Sequence, residues 1–593
     1  MNKPRLTTIL LLLGCWLQAF SQQPILGGEL SNSATTCTED IDEVMPRMAA
    51  LGLNTVLVPA YWEFLEPQEG QFDYTLIDRT IDRARENNLK VVFLWFGVWK
   101  NSMSCYAPLW FKQDTRRFPR ARTATGKPLE IASAFSDEVL EADRRAFAAL
   151  MQRIAERGRD VVTMVQVENE IGMLEDARDH SPLAEAAYAK GVPQELQLPP
   201  TSPYWERLQA HRNTPSSWRG QGGGSGAPSW TSVFGDTIYT DEIFMAYYYA
   251  KYVEQLCQTA HSIISDMPLY VNAALNSRGR QPGQYPSGGP LAHLIDIWHA
   301  AAPSLLLLAP DIYDTGFKDW VSQYALSNNR LFIPESRCCE NSGVRALYVF
   351  GEHQALGFSP FAIDQASPRE TENITKAYAL LRQISNLKEK VNPNANNAPL
   401  GPQGRLPKQE PSWGLLFDQQ DKERIIEDDE LIITCRHYFT LPWDSRATDG
   451  STWPEGGAML IKLAKDEYLL AGSGIVVEFK TKAEKALEQQ VVLGEDGFVA
   501  NVNVNDNVNA QSSARPAGTL ARARTFNTPL GPQGRLPEQE RSGIGFVDEV
   551  EVQPDGTLKY LRRHNGDQDH QGRHARISVG DWKVLHIQLY RYE

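Results

Sequence analysis

Between residues 25 and 365, short apolar runs alternate with stretches in which apolar residues recur every three or four positions. The runs are Ile25–Leu30, Asn54–Ala60, Lys90–Gly97, Val161–Val167, Leu269–Ala274, Ser304–Ala309, Leu331–Pro334 and Ala355–Ala362. Several are nearly continuous hydrophobics, the texture of parallel strands buried on both faces. The intervening stretches predict crossover helices. Thr75–Asn88 puts Leu76, Ile77, Thr80, Ile81 and Ala84 on one face. Ser136–Gly158 opens on an N-capping serine and closes on a glycine, and Asp241–Ser265 is a third amphipathic stretch. Eight such units predict a (β/α)₈ TIM barrel over residues 24–390. A doubly wound open sheet has a similar local pattern, but no Gly-rich phosphate turn follows the first run.

Residues 176–235 form an expanded loop after the fourth run, where a barrel carries function, and this loop is expected to overhang the site. Its Gln221–Gly226 tract lacks a following Lys-Ser/Thr and reads as a loop, not a phosphate cradle. Beyond Val391 the texture changes. An Asn-, Pro- and Gly-rich linker, Asn392–Pro411, precedes short alternating stretches at Glu430–Cys435, Ala458–Leu463, Gly474–Lys480, Gly545–Val552 and Trp582–Tyr592. Residues 391–593 are therefore expected to form an all-β, sandwich-like domain. The nonapeptide Pro399–Pro407 recurs as Pro529–Pro537, and Asn501–Asn507 is a polar low-complexity tract.

The formal charge of −14 over 593 residues argues against a protein that tracks nucleic-acid phosphates. Lys3 and Arg5 before an apolar Ile9–Phe20 stretch, with small residues at Ala19 and Ser21, read as an export signal over residues 1–23. A second reading makes Leu12-Leu13-Gly14-Cys15 a lipoprotein cleavage site, with a lipid tether on Cys15. Either one implies an exported, periplasmic or outer-membrane-associated protein. Six cysteines follow the signal without a pair of C-x-x-C units, and no metal is assigned.

Hydrolysis of a glycosidic bond with retention needs two carboxyls roughly 5–5.5 Å apart, one to protonate the leaving oxygen and one to attack the anomeric carbon. In a barrel these come from the C-terminal ends of different strands. The fourth run, VVTMVQVENE, ends at Asn169-Glu170, and the seventh, RLFIPES, ends at Glu335. Glu170 is expected to be the acid/base and Glu335 the nucleophile. Arg337 is a candidate donor to Glu335, and Asn169 a ligand for a sugar hydroxyl. Taken singly, Glu170 could be a helix N-terminal acid and Glu335 a surface ion-pair partner. Glu29, Trp62, Glu63, Trp99 and Asn101 lie at or just beyond the first three strand ends, and Tyr313 follows the sixth, so all are candidate substrate contacts. For the aromatics core packing is the competing reading, and for Glu29 and Glu63 a structural ion pair.

This layout resembles the clan A glycoside hydrolases, whose barrels carry an acid/base after an Asn on strand 4 and a nucleophile on strand 7. In Pro46–Tyr74, the residues Gly52-Leu53-Asn54, Val56, Trp62, Glu66, Pro67, Gly70, Phe72 and Tyr74 resemble the strand 2 segment of family 35 and family 42 β-galactosidases. Gly27-Gly28 is similar to family 35, and a bacterial branch of that family with a C-terminal β-domain is the nearest likeness. The resemblance implies a cofactor-independent, retaining exo-β-galactosidase, with Tyr313 bonding the nucleophile. The substrate would be an oligosaccharide from plant or algal polysaccharide. Pro59, Glu63 and the loop FGVWKNSMSCY depart from the positions where family 35 holds galactose. A β-glycosidase for another sugar is therefore a second reading, and a carbohydrate-binding protein without catalysis a third.

Overall fold

The computed structural model describes residues 23–196, 227–277, 279–391, 411–485, 492–493, 499–500, 541–564 and 572–592. The leader with Cys15, the Gln221–Gly226 tract, the linker, both copies of the nonapeptide and the Asn501–Asn507 tract lie outside them. Two compact units are present, Met1–Gln409 and Glu410–Glu593.

In the first unit eight strands close into a barrel: β1 Ile25–Glu29, β2 Thr55–Tyr61, β3 Lys90–Phe96, β4 Val162–Gln166, β5 Leu269–Ala274, β6 Leu307–Ile312, β7 Phe332–Arg337 and β8 Gly357–Phe361. Each pairs in parallel with its sequence neighbours, and β8 returns to β1. Side chains alternate across a strand, so one residue in two faces inward. Ile25, Leu57, Val92, Leu94, Met164, Tyr270, Leu307, Ala309 and Phe332 form a single apolar cluster. Full burial of such side chains stabilises by about 1.5–3 kcal/mol each. Continuing the same alternation toward the strand C-termini brings Glu29, Gln166, Asn272 and Asp311 into phase with this row. The apolar interior therefore gives way to polar groups at the C-terminal end.

The helices follow the expected pattern. Asp137–Arg157 starts with the Ser136 Oγ accepting from the Val139 N–H and stops at Gly158. β6 runs on through Pro310 and Asp311 to Ile312 instead of ending at Ala309, and β7 runs on to Arg337 instead of ending at Glu335. Proline is tolerated in β6 because the strand pairs with β7 only from Asp311 onward.

The second unit is all-β. Strands β9 Ser412–Phe417, β10 Glu423–Asp428, β11 Leu431–His437, β12 Gly456–Ala464, β13 Glu467–Ser473, β14 Ile475–Thr481, β15 Arg541–Val552, β16 Leu558–His564, β17 Ala575–Ile577 and β18 Lys583–Tyr592 form two antiparallel sheets. Their orders are β9-β12-β13-β18-β15-β16 and β10-β11-β14-β17. One apolar cluster, including Leu415, Ile433, Leu460, Leu470, Val477 and Ile587, draws on both sheets, which makes the unit a sandwich. Five of these strands were not anticipated. β16 shows why: as a sheet edge it is exposed and carries Lys559, Arg562 and Arg563 in place of an apolar alternation.

Candidate active site

The polar end of the barrel is organised by the loops that continue β3 and β4. Past the strand ends the two stay paired: the Asn169 N–H donates to the Trp99 carbonyl at 3.2 Å and the Ser102 N–H to the Glu170 carbonyl at 3.2 Å. Asn101, Ser102, Glu168 and Glu170 all have left-handed backbones, with φ of 50°, 67°, 61° and 47°. Such conformations cost on the order of 1–3 kcal/mol each and persist only where the surroundings enforce them. Here the enforcement is visible. Glu168 is buried and accepts from the Val98 N–H (3.2 Å) and the Trp99 N–H (2.7 Å). It lies so close to Gly97 that a Cβ there would fall 2.6 Å from Glu168 Oε1. Asp143, held by Trp95 Nε1 and the Tyr252 hydroxyl at 2.8 Å each, backs Glu168 from the neighbouring helix.

This frame projects Glu170 into the barrel mouth. Its N–H donates to Asn272 Oδ1 at 3.0 Å, and Asn101 Nδ2 donates to its Oε2. Glu335 comes in from β7 and accepts a hydrogen bond from the Tyr313 hydroxyl. Carboxyl oxygens of Glu170, Asp311 and Glu335 all lie within 4.8 Å of one another. Burial, and then the like charge of Glu335, push the Glu170 carboxyl up to about 7. Glu29 completes the cluster from β1. Burial and the Glu335 charge hold it well above the usual carboxylate range. Asp311 is raised well above that range for the same two reasons, with Glu170 and Glu29 adding to them.

Many buried polar atoms here have no hydrogen-bond partner among the described residues. They include both oxygens of Glu29, both amide atoms of Asn169 and of Gln166, Asp311 Oδ1, Glu335 Oε2, Trp99 Nε1 and the Tyr270 hydroxyl. Folded proteins leave few such atoms unpaired, since each costs about 1–3 kcal/mol. Concentrated at one end of a barrel, they suit a ligand rich in hydroxyl groups. The carboxyls of Glu170, Asp311 and Glu335 are also close enough to bridge a cation, which would have to displace the protons that burial favours on Glu170 and Asp311.

The structure thus brings together Glu170, Glu335, Asn169, Glu29, Asn101 and Tyr313. It does not do so for three other candidates. Trp62 is fully buried against Trp110 and Phe111, and its Nε1 donates to Glu66 at 2.8 Å, so core packing wins there. Glu63 pairs with Lys112 at 4.0 Å, and its N–H donates to the Tyr106 carbonyl at 3.0 Å. Trp99 is fully buried, edge-on to Tyr249 and Tyr252. It has no face open for stacking and offers at most its unpaired indole N–H. Arg337 is also corrected: its guanidinium lies 5.8 Å over the Tyr313 ring, and it is Tyr313 that bonds Glu335.

Asp311, Asn272, Glu168 and Lys100 were not foreseen. Lys100 is buried at 4% exposure, and its charge acts on Glu29, Glu170 and Asp311. The signal that could have found Asn272 and Asp311 was available: both lie an even number of positions beyond apolar, inward-facing residues of their own strands.

Residues 33–197 match the sequence model of glycoside hydrolase family 42, described as beta-galactosidase. Residues 374–576 match a domain of unknown function, DUF5597. The first match places part of the barrel's sequence with a glycoside hydrolase family. It is to family 42, and the likeness drawn to family 35 finds no support. No curated protein matches the chain. Among solved structures, the chain is similar to the beta-galactosidase of the psychrophilic Marinomonas ef1 at 14% identity. That alignment covers 62% of this chain and 60% of the other, with a TM-score of 0.42. A catalytic mutant of Gan42B, a GH42 beta-galactosidase from G. stearothermophilus, aligns at 16% identity over 62% and 57%, with a TM-score of 0.44. The beta-galactosidase of Bacillus circulans sp. alkalophilus aligns at 14% over 62% and 57%, with a TM-score of 0.43. The chain spans about 60% of the length of the first of these structures.

Proposed function

We propose that the protein is a retaining exo-β-galactosidase that removes terminal β-galactosyl residues from oligosaccharides of plant or algal cell-wall origin. The observation that carries this reading is the approach of Glu170 and Glu335, with oxygens within 4.8 Å and a carboxyl on Glu170 pushed up to about 7. A separation near 5 Å suits direct attack by one carboxylate, whereas inverting enzymes leave roughly 6.5–9.5 Å for a water. Glu170, still protonated near neutrality, gives its proton to the leaving oxygen. Glu335, oriented by Tyr313, attacks the anomeric carbon and forms a covalent glycosyl-enzyme. Glu170 then takes a proton from water, which displaces Glu335 and restores the starting configuration. Asn169 and Glu29, with buried unpaired polar atoms, bind sugar hydroxyls. No step calls for a cofactor. The leader reading, untouched by the described residues, makes the enzyme an exported one, with a lipid on Cys15 if the lipoprotein site is used.

The test is a Glu335→Gly variant supplied with azide. A β-galactosyl enzyme of this type yields α-galactosyl azide, and the wild type does not. A folded variant that azide fails to rescue would overturn the assignment of Glu335. A panel of nitrophenyl glycosides decides the sugar. Pro59 and the strand 3 loop with its buried Lys100 favour a second reading, a retaining β-glycosidase for another sugar. Higher kcat/KM on another glycoside of the panel would select it.

A further inference from the structure

We propose that Asp311 is a positioning residue for Glu170: a neutral carboxyl that keeps its own proton and donates a hydrogen bond to Glu170 once Glu170 has given up its proton. This rests on the acid/base reading of Glu170.

The case begins with Asn272. Its side chain spans from Glu170 to Asp311, with Oδ1 accepting the Glu170 backbone N–H at 3.0 Å and Nδ2 donating to Asp311 Oδ2 at 2.7 Å. A backbone N–H can only donate, so the amide oxygen must face Glu170 and the NH₂ must face Asp311. The usual ambiguity of an Asn side chain is removed. Asp311 Oδ2 is consequently an acceptor, and a proton on this carboxyl belongs on Oδ1. Asp311 Oδ1 is buried and has no partner among the described residues, in a side chain only 2% exposed. A carboxyl oxygen of Asp311 lies within 4.8 Å of both Glu170 and Glu335.

Charge accounts for the neutral form. Glu29, Glu170, Asp311 and Glu335 converge on one gap in which Lys100 is, among the described residues, the one buried cation acting on them. Ionising all four without compensation is prohibitive in a poorly solvated site. Asp311 is raised by burial first and by Glu335 next. A neutral donor beside Glu170 stabilises Glu170 in its ionised form, so Asp311 opposes the rise of the Glu170 carboxyl. Glu170 is thereby a stronger acid than burial alone would leave it. Asp311 transfers nothing: the proton moves from Glu170 to the leaving oxygen, and the Asp311 hydroxyl then bonds the carboxylate left behind.

The experiment compares Asp311→Asn and Asp311→Ala on phenyl and 2,4-dinitrophenyl β-galactosides across pH. Asn keeps a neutral donor and an acceptor, so D311N is expected to stay within about threefold of wild type on both substrates. D311A is expected to lose about 10–100-fold on the phenyl substrate, whose departure needs the acid, and little on the dinitrophenyl one. Its alkaline limb should move up by about half a pH unit or more, because Glu170 has lost the donor that favours its charged form. Equal damage in D311N and D311A, equal losses on the two substrates, or an unmoved limb would each overturn the proposal. Should D311A fail to fold, infrared difference spectra decide. A protonated-carboxyl band at pH 7 in wild type that is missing from D311N supports the proposal, and identical spectra overturn it. The infrared comparison needs no turnover, so it fails independently of the galactosidase reading, which falls if wild type cleaves neither galactoside.

Discussion

The Tyr313 hydroxyl, one residue past the end of β6, reaches across to the Glu335 carboxylate on β7 and donates to it. The adjacent strands bring the two together: Asp311 and Glu335 are register partners in the β6–β7 pair, so Tyr313, two residues on, projects from the same face beside the nucleophile. The ring is held edge-on to Phe361 and lies under the Arg337 guanidinium, which fixes the direction of the hydroxyl.

Tyr313→Phe deletes this donor and little else, because the ring is 37% exposed and its packing survives. A hydrogen bond to a charged group contributes about 1.5–3 kcal/mol, so kcat should fall roughly 10–100-fold. KM and melting temperature should scarcely move. Steady-state kinetics with a thermal melt checks this, and a loss confined to KM would show that Tyr313 binds substrate instead of orienting Glu335.

The Glu170 carboxyl, pushed up to about 7, sets the pH dependence of the acid step. The rate on substrates with poor leaving groups should decline above about pH 7 by roughly tenfold per unit. Stability carries the same signature. Because the folded state binds this proton more tightly than the unfolded chain, the contribution is complete below the ordinary value of 4.5 and is lost as pH rises toward 7. Glu170→Gln never bears the buried charge. Chemical denaturation should find it more stable than wild type at pH 8, by on the order of a few kcal/mol, and no more stable at pH 4.

Trp62 has a structural task. Its Nε1 donates to Glu66, which is fully buried and also takes the Gly70 N–H at 2.7 Å and Arg145 at 2.8 Å. Trp62→Phe leaves one carboxylate oxygen short of a donor and should cost about 1–3 kcal/mol of stability. Its KM and kcat should match wild type at a temperature where both are folded. A raised KM would return Trp62 to the substrate site.

Gly97→Ala tests the frame behind Asn169 and Glu170. The added Cβ would lie 2.2 Å from Trp95 Nε1 and 2.6 Å from Glu168 Oε1, neither of them a free-ended side chain. Overpacking of this kind costs about 1–3 kcal/mol. Since it displaces the acid's own support, kcat should fall along with stability. A variant with wild-type kinetics would show that the Glu168 contacts are dispensable for catalysis.

Eight apolar runs and their amphipathic spacers were enough to specify the barrel, because strand and helix periods are local properties that any window of the chain displays. The same periods put Glu170 and Glu335 at the lips of the fourth and seventh strands. From there the barrel's connectivity alone brings them to a common opening. What the order of residues could not decide was which way neighbouring polar and aromatic groups turn. Trp62 and Trp99 look like stacking platforms in a linear chain, but the fold closes Trp110, Phe111, Tyr249 and Tyr252 around them. Asp311 lies beyond the sixth apolar run and just after a proline. Only the pairing of β5 with β6, which carries the strand through Pro310, turns it inward beside Glu170. Periodicity is encoded within a few residues, whereas the burial and protonation of a carboxyl depend on side chains contributed by strands far apart in the chain, and these meet only in the closed barrel.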